Sequence, residues 1–206
     1  MFLQKDTFSR IVASWKMILV VSAVCGLLSL LVSYFLLPVQ YGADSQVLII
    51  STSRYGVDPY TSVKSSERVG ENLLYVLKSD DFYNKVMDQS GEDFDKSVFE
   101  NLSDRKRRRA WEKSLSASVS YGTGVLNIRS FASSADQAKA LSNAIMKTVV
   151  SKGWEYVGGD VTLKIINEPI ATKFPVRPNI LLNFILGAII GGIIMLFSLL
   201  FRQKHL

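Results

Sequence analysis

The chain has 206 residues, is 48% apolar and 20% charged, and carries a formal charge of +6. Its single cysteine, Cys25, excludes a disulfide framework, and its single histidine, His205, leaves no material for a His-based catalytic relay or a His/Cys zinc site. A pI near 9.4 calls for an anionic counterpart, and the placement of the apolar residues decides which kind.

Met17–Leu37 is the first predicted element, a run of 21 residues without Asp, Glu, Lys or Arg. A helix crosses the ~30 Å hydrocarbon core of a bilayer in about 20 residues, so this run is long enough to span. It exceeds the apolar stretch of a cleaved signal peptide, no small-residue cleavage motif follows it, and Val24 breaks a lipobox at Cys25. An uncleaved anchor is expected. Because Cys25 lies inside it, the domain that follows must hold together by its own core.

Beyond Pro38 the β-branched stretch Val47–Ile50 predicts a strand, and a Ser/Thr/Gly/Pro-rich stretch over 51–62 predicts a loop. From Val63 to Lys78 the apolar residues Val69, Leu73, Val76 and Leu77 share one helical face. Ser79 is a predicted N-cap with Asp80 and Asp81 in the first turn, and Phe82, Val86 and Met87 carry the next apolar face towards Gly91. Residues 92–114 are strongly charged and predict one or two short helices, with Phe94, Val98, Phe99, Leu102 and Trp111 turned inward.

That segment contains the cationic run Arg105, Lys106, Arg107, Arg108 and Arg109. Two readings of the run stay open, a solvated helix face or a contact with an anionic glycan or lipid headgroup. A hairpin comes next, with Leu115, Ala117, Val119 and Tyr121 alternating with serines, a turn at Gly122-Thr123-Gly124, and a return over Val125–Phe131. Ser134 and Gln137 form a capping box for a helix that ends at Gly153. Val161, Leu163 and Ile165 alternate as a last strand before Asn167. The expected fold is α+β, with a mainly antiparallel sheet covered by helices on one face.

Over 167–179, Pro169, Pro175 and Pro178 predict a stiff extended strut, with Asn179 as the cap of the next helix. Ile180–Phe201 then gives a second run of 22 residues without a charge. Two such runs at opposite ends predict two transmembrane helices. Lys5, Arg10 and Lys16 before the first, against one acid, Asp6, and Arg202, Lys204 and His205 after the second, place both ends in the cytoplasm by the positive-inside rule. The expected layout is a cytoplasmic segment 1–16, a span 17–37, an extracytoplasmic domain 38–166, the strut 167–179, a span 180–201 and a cytoplasmic tail 202–206. This topology turns the cationic run away from the cytoplasm and argues against nucleic acid as a partner. Gly187, Gly191 and Gly192 in the second span, and Gly26 with Ser22, Ser29 and Ser33 in the first, form small-residue faces for helix packing, within or between subunits.

No phosphate-binding glycine loop is present, and the adjacent acids Asp80/Asp81 and Glu92/Asp93 read as helix-start residues rather than as an acid/base couple. No catalytic, cofactor-binding or metal-binding residues are assigned.

Four features together resemble the polysaccharide co-polymerases, the chain-length determinant or Wzz-type proteins. They are Pro38, Tyr41 and Ala43 after the first span, Leu77-Lys78-Ser79-Asp80-Asp81-Phe82 in the helix pair, Val125–Phe131 leading to Ala135 and Ala138, and Ala171 followed by Phe174-Pro175-Val176-Arg177-Pro178-Asn179 before a glycine-rich span. Thr172, Lys173 and Arg177 depart from the residues common there, and the long helical extension of larger relatives is missing, which marks a short form without a fused tyrosine kinase.

The resemblance implies a non-enzymatic membrane regulator of capsule, exopolysaccharide or O-antigen polymerisation, chain length or export. It would act as a homo-oligomer with a membrane polymerase in the bacterial inner membrane. A separate cytoplasmic tyrosine kinase and the glycan or its lipid-linked precursor are further partners that it allows. A membrane sensor and a scaffold of another envelope complex are the competing classes.

Overall fold

A computed structural model describes residues 13–51, 58–158 and 161–201. These fall into two compact units, Gln40–Val176 and the flanking residues up to Val39 and from Arg177. The charged flanks read as cytoplasmic at residues 5–10 and 202–205 lie outside the described residues.

The flanking unit consists of helices α1 (Trp15–Leu36) and α8 (Ile180–Phe201). Both are long and apolar enough to cross a membrane, and only 11% of each apolar window is buried. A core helix of a soluble domain would bury such residues; here Leu36, Leu181 and Ile194 stay more than half exposed. Lipid is the solvent in which that surface carries no penalty. Two apolar helices near the ends fit a two-pass inner-membrane protein with a central domain.

Between them in the chain comes an α+β domain. Its elements are β1 (Tyr41–Ser51), α2 (Pro59–Val76), α3 (Asp80–Gln89), α4 (Ser97–Glu100), α5 (Asp104–Ser114), β2 (Leu115–Ser120), β3 (Val125–Ala132), α6 (Ala135–Lys152), α7 (Trp154–Val157) and β4 (Val161–Ala171). The four strands form one antiparallel sheet in the order β2-β3-β1-β4, with the first strand of the chain at its centre. β1 is longer than the apolar pattern predicts, because Tyr41–Gln46 also pair with β3. Part of the expected loop, 52–57, lies outside the described residues. α2 begins at Pro59, four residues before Val63, because Asp58 accepts hydrogen bonds from the Tyr60 and Thr61 N–H groups and Pro59 suits the first helical position.

Alternation divides the sheet into two faces. Val47, Ile49, Leu126, Ile128, Leu115 and Leu163 point to one side and pack against the helices. Leu73, Leu77, Phe82, Val86, Leu141, Ile145 and Val149 fill that layer from above. Trp111 is the largest fully buried side chain; its ring meets Tyr83 and Phe99 edge-on, and its Nε1–H donates to the Leu77 carbonyl at 2.9 Å. The indole is thus almost wholly out of solvent and its one polar atom has a partner.

Four local expectations change. Val98, expected inward, is 58% exposed, since α4 is a single turn and only Phe99 can reach the aromatic cluster. Tyr121 sits in the turn rather than on the inward row and is exposed. Ser134 accepts the Gln137 N–H at 3.2 Å as half of a capping box, but the Gln137 amide turns away to bond the backbone of Asp93 and Asp95. Satisfying two loop groups outweighs one cap contact. β4 runs past Asn167 to Ala171, so residues 167–171 are strand rather than strut.

That last correction has a specific cause. Against β1, the β4 register slips twice, between the pairs Val47/Ile165 and Gln46/Asn167, and between Gln46/Asn167 and Asp44/Ile170. Each slip inserts one extra β4 residue, first Ile166, then one within 168–169. Proline lacks the ladder donor and is tolerated in an edge strand or at a bulge, and Pro169 has both.

Candidate functional site

Among the described residues of this domain the helices pack on one side of the sheet, and its other face is open. Its residues are the alternate positions Asp44 and Gln46 of β1, Ser116, Ser118 and Ser120 of β2, and Asn127 and Arg129 of β3. They form a hydrogen-bonded ladder across all four strands. Asn127 donates to Ser120 Oγ at 2.9 Å, Gln46 donates to Asn127 Oδ1 at 2.6 Å, and Asn167 of β4 donates to Gln46 Oε1.

The β4 bulges make the last contact possible. In an unbroken register Ile166 would face Gln46 and Asn167 would point to the core; the extra residue reverses them. The second bulge returns Ile170 to the open side opposite Asp44, where it is 73% exposed. Beside the ladder, the Arg129 guanidinium makes a two-pronged contact with the Asp44 carboxylate, one prong at 2.7 Å, and that carboxylate holds the Arg129 pKa above its ordinary value. The strands frame an open trough of about 870 Å³. Thr172 closes one end: its N–H donates to the Gly42 carbonyl at 2.8 Å, and its Oγ1 accepts from the Gly42 N–H at 3.1 Å.

The cationic run lies on α5, away from this trough. Its members are not equivalent. Arg108 is tied to Asp80, whose carboxyl it holds below the usual range. Arg107 pairs with Asp104 at 3.1 Å and lies over the Tyr83 ring, with its Nε buried. Arg105, Lys106 and Arg109 are exposed. Two of the five cations are thus engaged in fixing α5 to α3.

In the helix pair, the small residues face the partner helix of the same chain. A Cβ on Gly187 would lie 2.4 Å from Ser29 Cβ, and one on Gly191 would lie 2.5 Å from Cys25 Cβ. Gly192 abuts Ser22, and Gly26 abuts the Phe184 ring. The partner positions descend along α1 as they ascend along α8, from Ser33 at Asn183 through Ser29 at Gly187 to Cys25 at Gly191, so the pair is antiparallel. Asn183, absent from the sequence-based candidates, joins it: its amide donates to Ser33 Oγ at 2.6 Å, while Ser29 Oγ donates to the Asn183 carbonyl at 2.9 Å. A single Asn in an apolar run was the available signal.

Of the remaining candidates, Ala171 ends β4 opposite Ala43, and Pro175 is exposed. Asn179 caps α8 by accepting the Leu182 N–H at 3.1 Å. Arg177 is half-buried, which lowers its pKa, and the Arg177–Pro178 bond is cis. Among the described residues no group of His, Cys, Asp and Glu is placed to hold a metal ion.

Comparison with known families bears on α1 to α3 directly: residues 5–90 match the family model described as Wzz, chain length determinant protein. Over these residues the chain is similar to Wzz-type chain length determinant proteins. Its match covers the first apolar helix, the central strand of the sheet and the helices α2 and α3, and so two of the four features on which the sequence resemblance rests; those at 125–138 and 171–179 lie outside it. No match is found among curated proteins.

Proposed function

We propose that this protein is a non-enzymatic, two-pass membrane regulator of cell-surface polysaccharide polymerisation, chain length or export, acting as a homo-oligomer beside a membrane polymerase. The match of residues 5–90 to the Wzz model carries the reading, and the antiparallel pair of apolar helices supports it. The cationic flanks favour both helix ends that lead to the chain termini lying in the cytoplasm, with the α+β domain outside. In this reading the segment from Ala171 to Asn179 hands the outer domain over to the second span. Regulation then comes from assembly and contact, and no bond is made or broken by the protein.

Deletion of the gene tests this. The surface polysaccharide of the deletion strain, sized by gel filtration, is expected to shift in length distribution or yield and to recover when the gene is returned. An unchanged distribution overturns the reading.

A further inference from the structure

The open face of the sheet is built rather than merely exposed. Exposed sheet faces need only be polar, and long flexible Lys and Glu side chains serve that purpose. Here the face carries short amides and hydroxyls that lock one another in place: Ser120, Asn127, Gln46 and Asn167 run in one line across four strands. Three inter-strand steps make that line about 14 Å long. Two bulges in β4 are needed to bring Asn167 and Ile170 to this side. Bulges of this kind re-aim side chains beside functional sites.

The chemistry of the trough points to its occupant. Arg129 is neutralised by Asp44, and the only other charge lining the trough is Glu168. A surface with that balance offers nothing to a polyanion. Fixed amides present both donors and acceptors, as a ligand bearing hydroxyls at every turn requires. Ile170 supplies an exposed apolar rim for C–H surface. A volume near 870 Å³ is within the range of small-ligand sites. Because the side chains are already ordered by mutual hydrogen bonds, a ligand meets a low entropic cost on binding.

We propose that this trough is a binding site for a short neutral oligosaccharide, a segment of the growing glycan. The proposal rests on the reading of the protein as a regulator of polysaccharide assembly and places the glycan contact on the sheet rather than on the α5 cations.

The test uses the full chain in lipid nanodiscs. The probe is a set of neutral oligosaccharides cut by partial hydrolysis from the surface polysaccharide of the cells that make the protein, with dextran sulfate as the anionic comparison. Calorimetric titration is expected to give saturable binding of the neutral probe, and hydrogen exchange to show new protection at 44–46, 116–118, 127–129 and 167–172. Two variants separate binding from folding. Arg129→Ala removes a face group, and Ser116→Trp fills the trough without deleting a ladder bond; each is expected to weaken binding at least tenfold, with an unchanged melting curve for Ser116→Trp.

Absent saturable binding, full affinity in Ser116→Trp, protection confined to 104–114, or tighter binding of dextran sulfate each overturns the proposal. So does protection of the open face by raised protein concentration alone, which would identify a second copy as its cover. If the glycan lengths change on gene deletion while the trough binds nothing, the regulatory reading stands and only this inference falls.

Discussion

The helix pair and the α+β domain use the same residues under opposite rules. Leu77 and Leu126 are fully buried, whereas Leu28 and Leu181 stand more than half exposed. Glycine in the pair removes a side chain so that backbones can meet, as at Gly187 and Gly191. At the hairpin, Gly124 instead supplies a positive φ of 65°. Water drives the domain together by burying apolar surface, while in lipid that force is missing and close packing with a few hydrogen bonds must replace it. Stability in the two regions therefore depends on different atoms.

The comparison is broken or sharpened by four measurements on the full chain in nanodiscs. Trp111→Ala leaves the largest cavity in the molecule and is expected to cost the domain about 3–5 kcal/mol, read as an earlier denaturant transition in tryptophan-independent circular dichroism. The α1–α8 contact, followed by a spin-label distance across the pair, is expected to stay. A shift of both signals together would show that the two regions share one rule.

Gly187→Leu is the converse experiment. Its side chain would enter the space held by Ser29 and Cys25, at a cost of about 1–3 kcal/mol of overpacking. The spin-label distance should lengthen while the domain transition holds. Asn183→Leu removes the link to Ser33 and is expected to weaken the pair by about 0.6–2 kcal/mol, the range for one interhelical hydrogen bond in a membrane.

Acid should affect the domain alone. Glu67 accepts the Gly122 N–H of the hairpin turn and pairs with Lys64 at 3.1 Å, and these partners, the turn N–H first, hold its pKa below the ordinary value. A depressed carboxyl contributes stability that is fully present above the unfolded-state value, about 4.3, and is lost as pH falls through the folded value. Asp80, Asp81 and Glu155 are lowered in the same sense. The domain's urea midpoint is expected to fall below about pH 4, with a shallower fall in Glu67→Gln, and the helix pair to be indifferent over the same range.

Much of this molecule was legible from local pattern. Charge-free runs marked both apolar helices, period-two alternation marked the hairpin strands, and Ser79 and Asn179 marked helix starts that the structure caps with their side chains. Local pattern failed where a residue answers to a distant partner. Val98 lost its place to Phe99, and Gln137 left its cap for the loop at 93–95. The candidate site lay almost wholly in this second class. Polar residues at 44, 46, 127 and 129 alternate as any solvated strand would, and nothing nearby in the chain distinguishes them.

Period and charge are properties of neighbours along the chain, so solvent preference and element type could be read without a fold. The central place of β1 and the two β4 bulges arise from pairing strands far apart in the chain, β1 with β3 and, more than a hundred positions away, β1 with β4, as Gln46 pairs with Asn167. Only that pairing turns Asn167 outward and makes an ordered polar face from four separate strands.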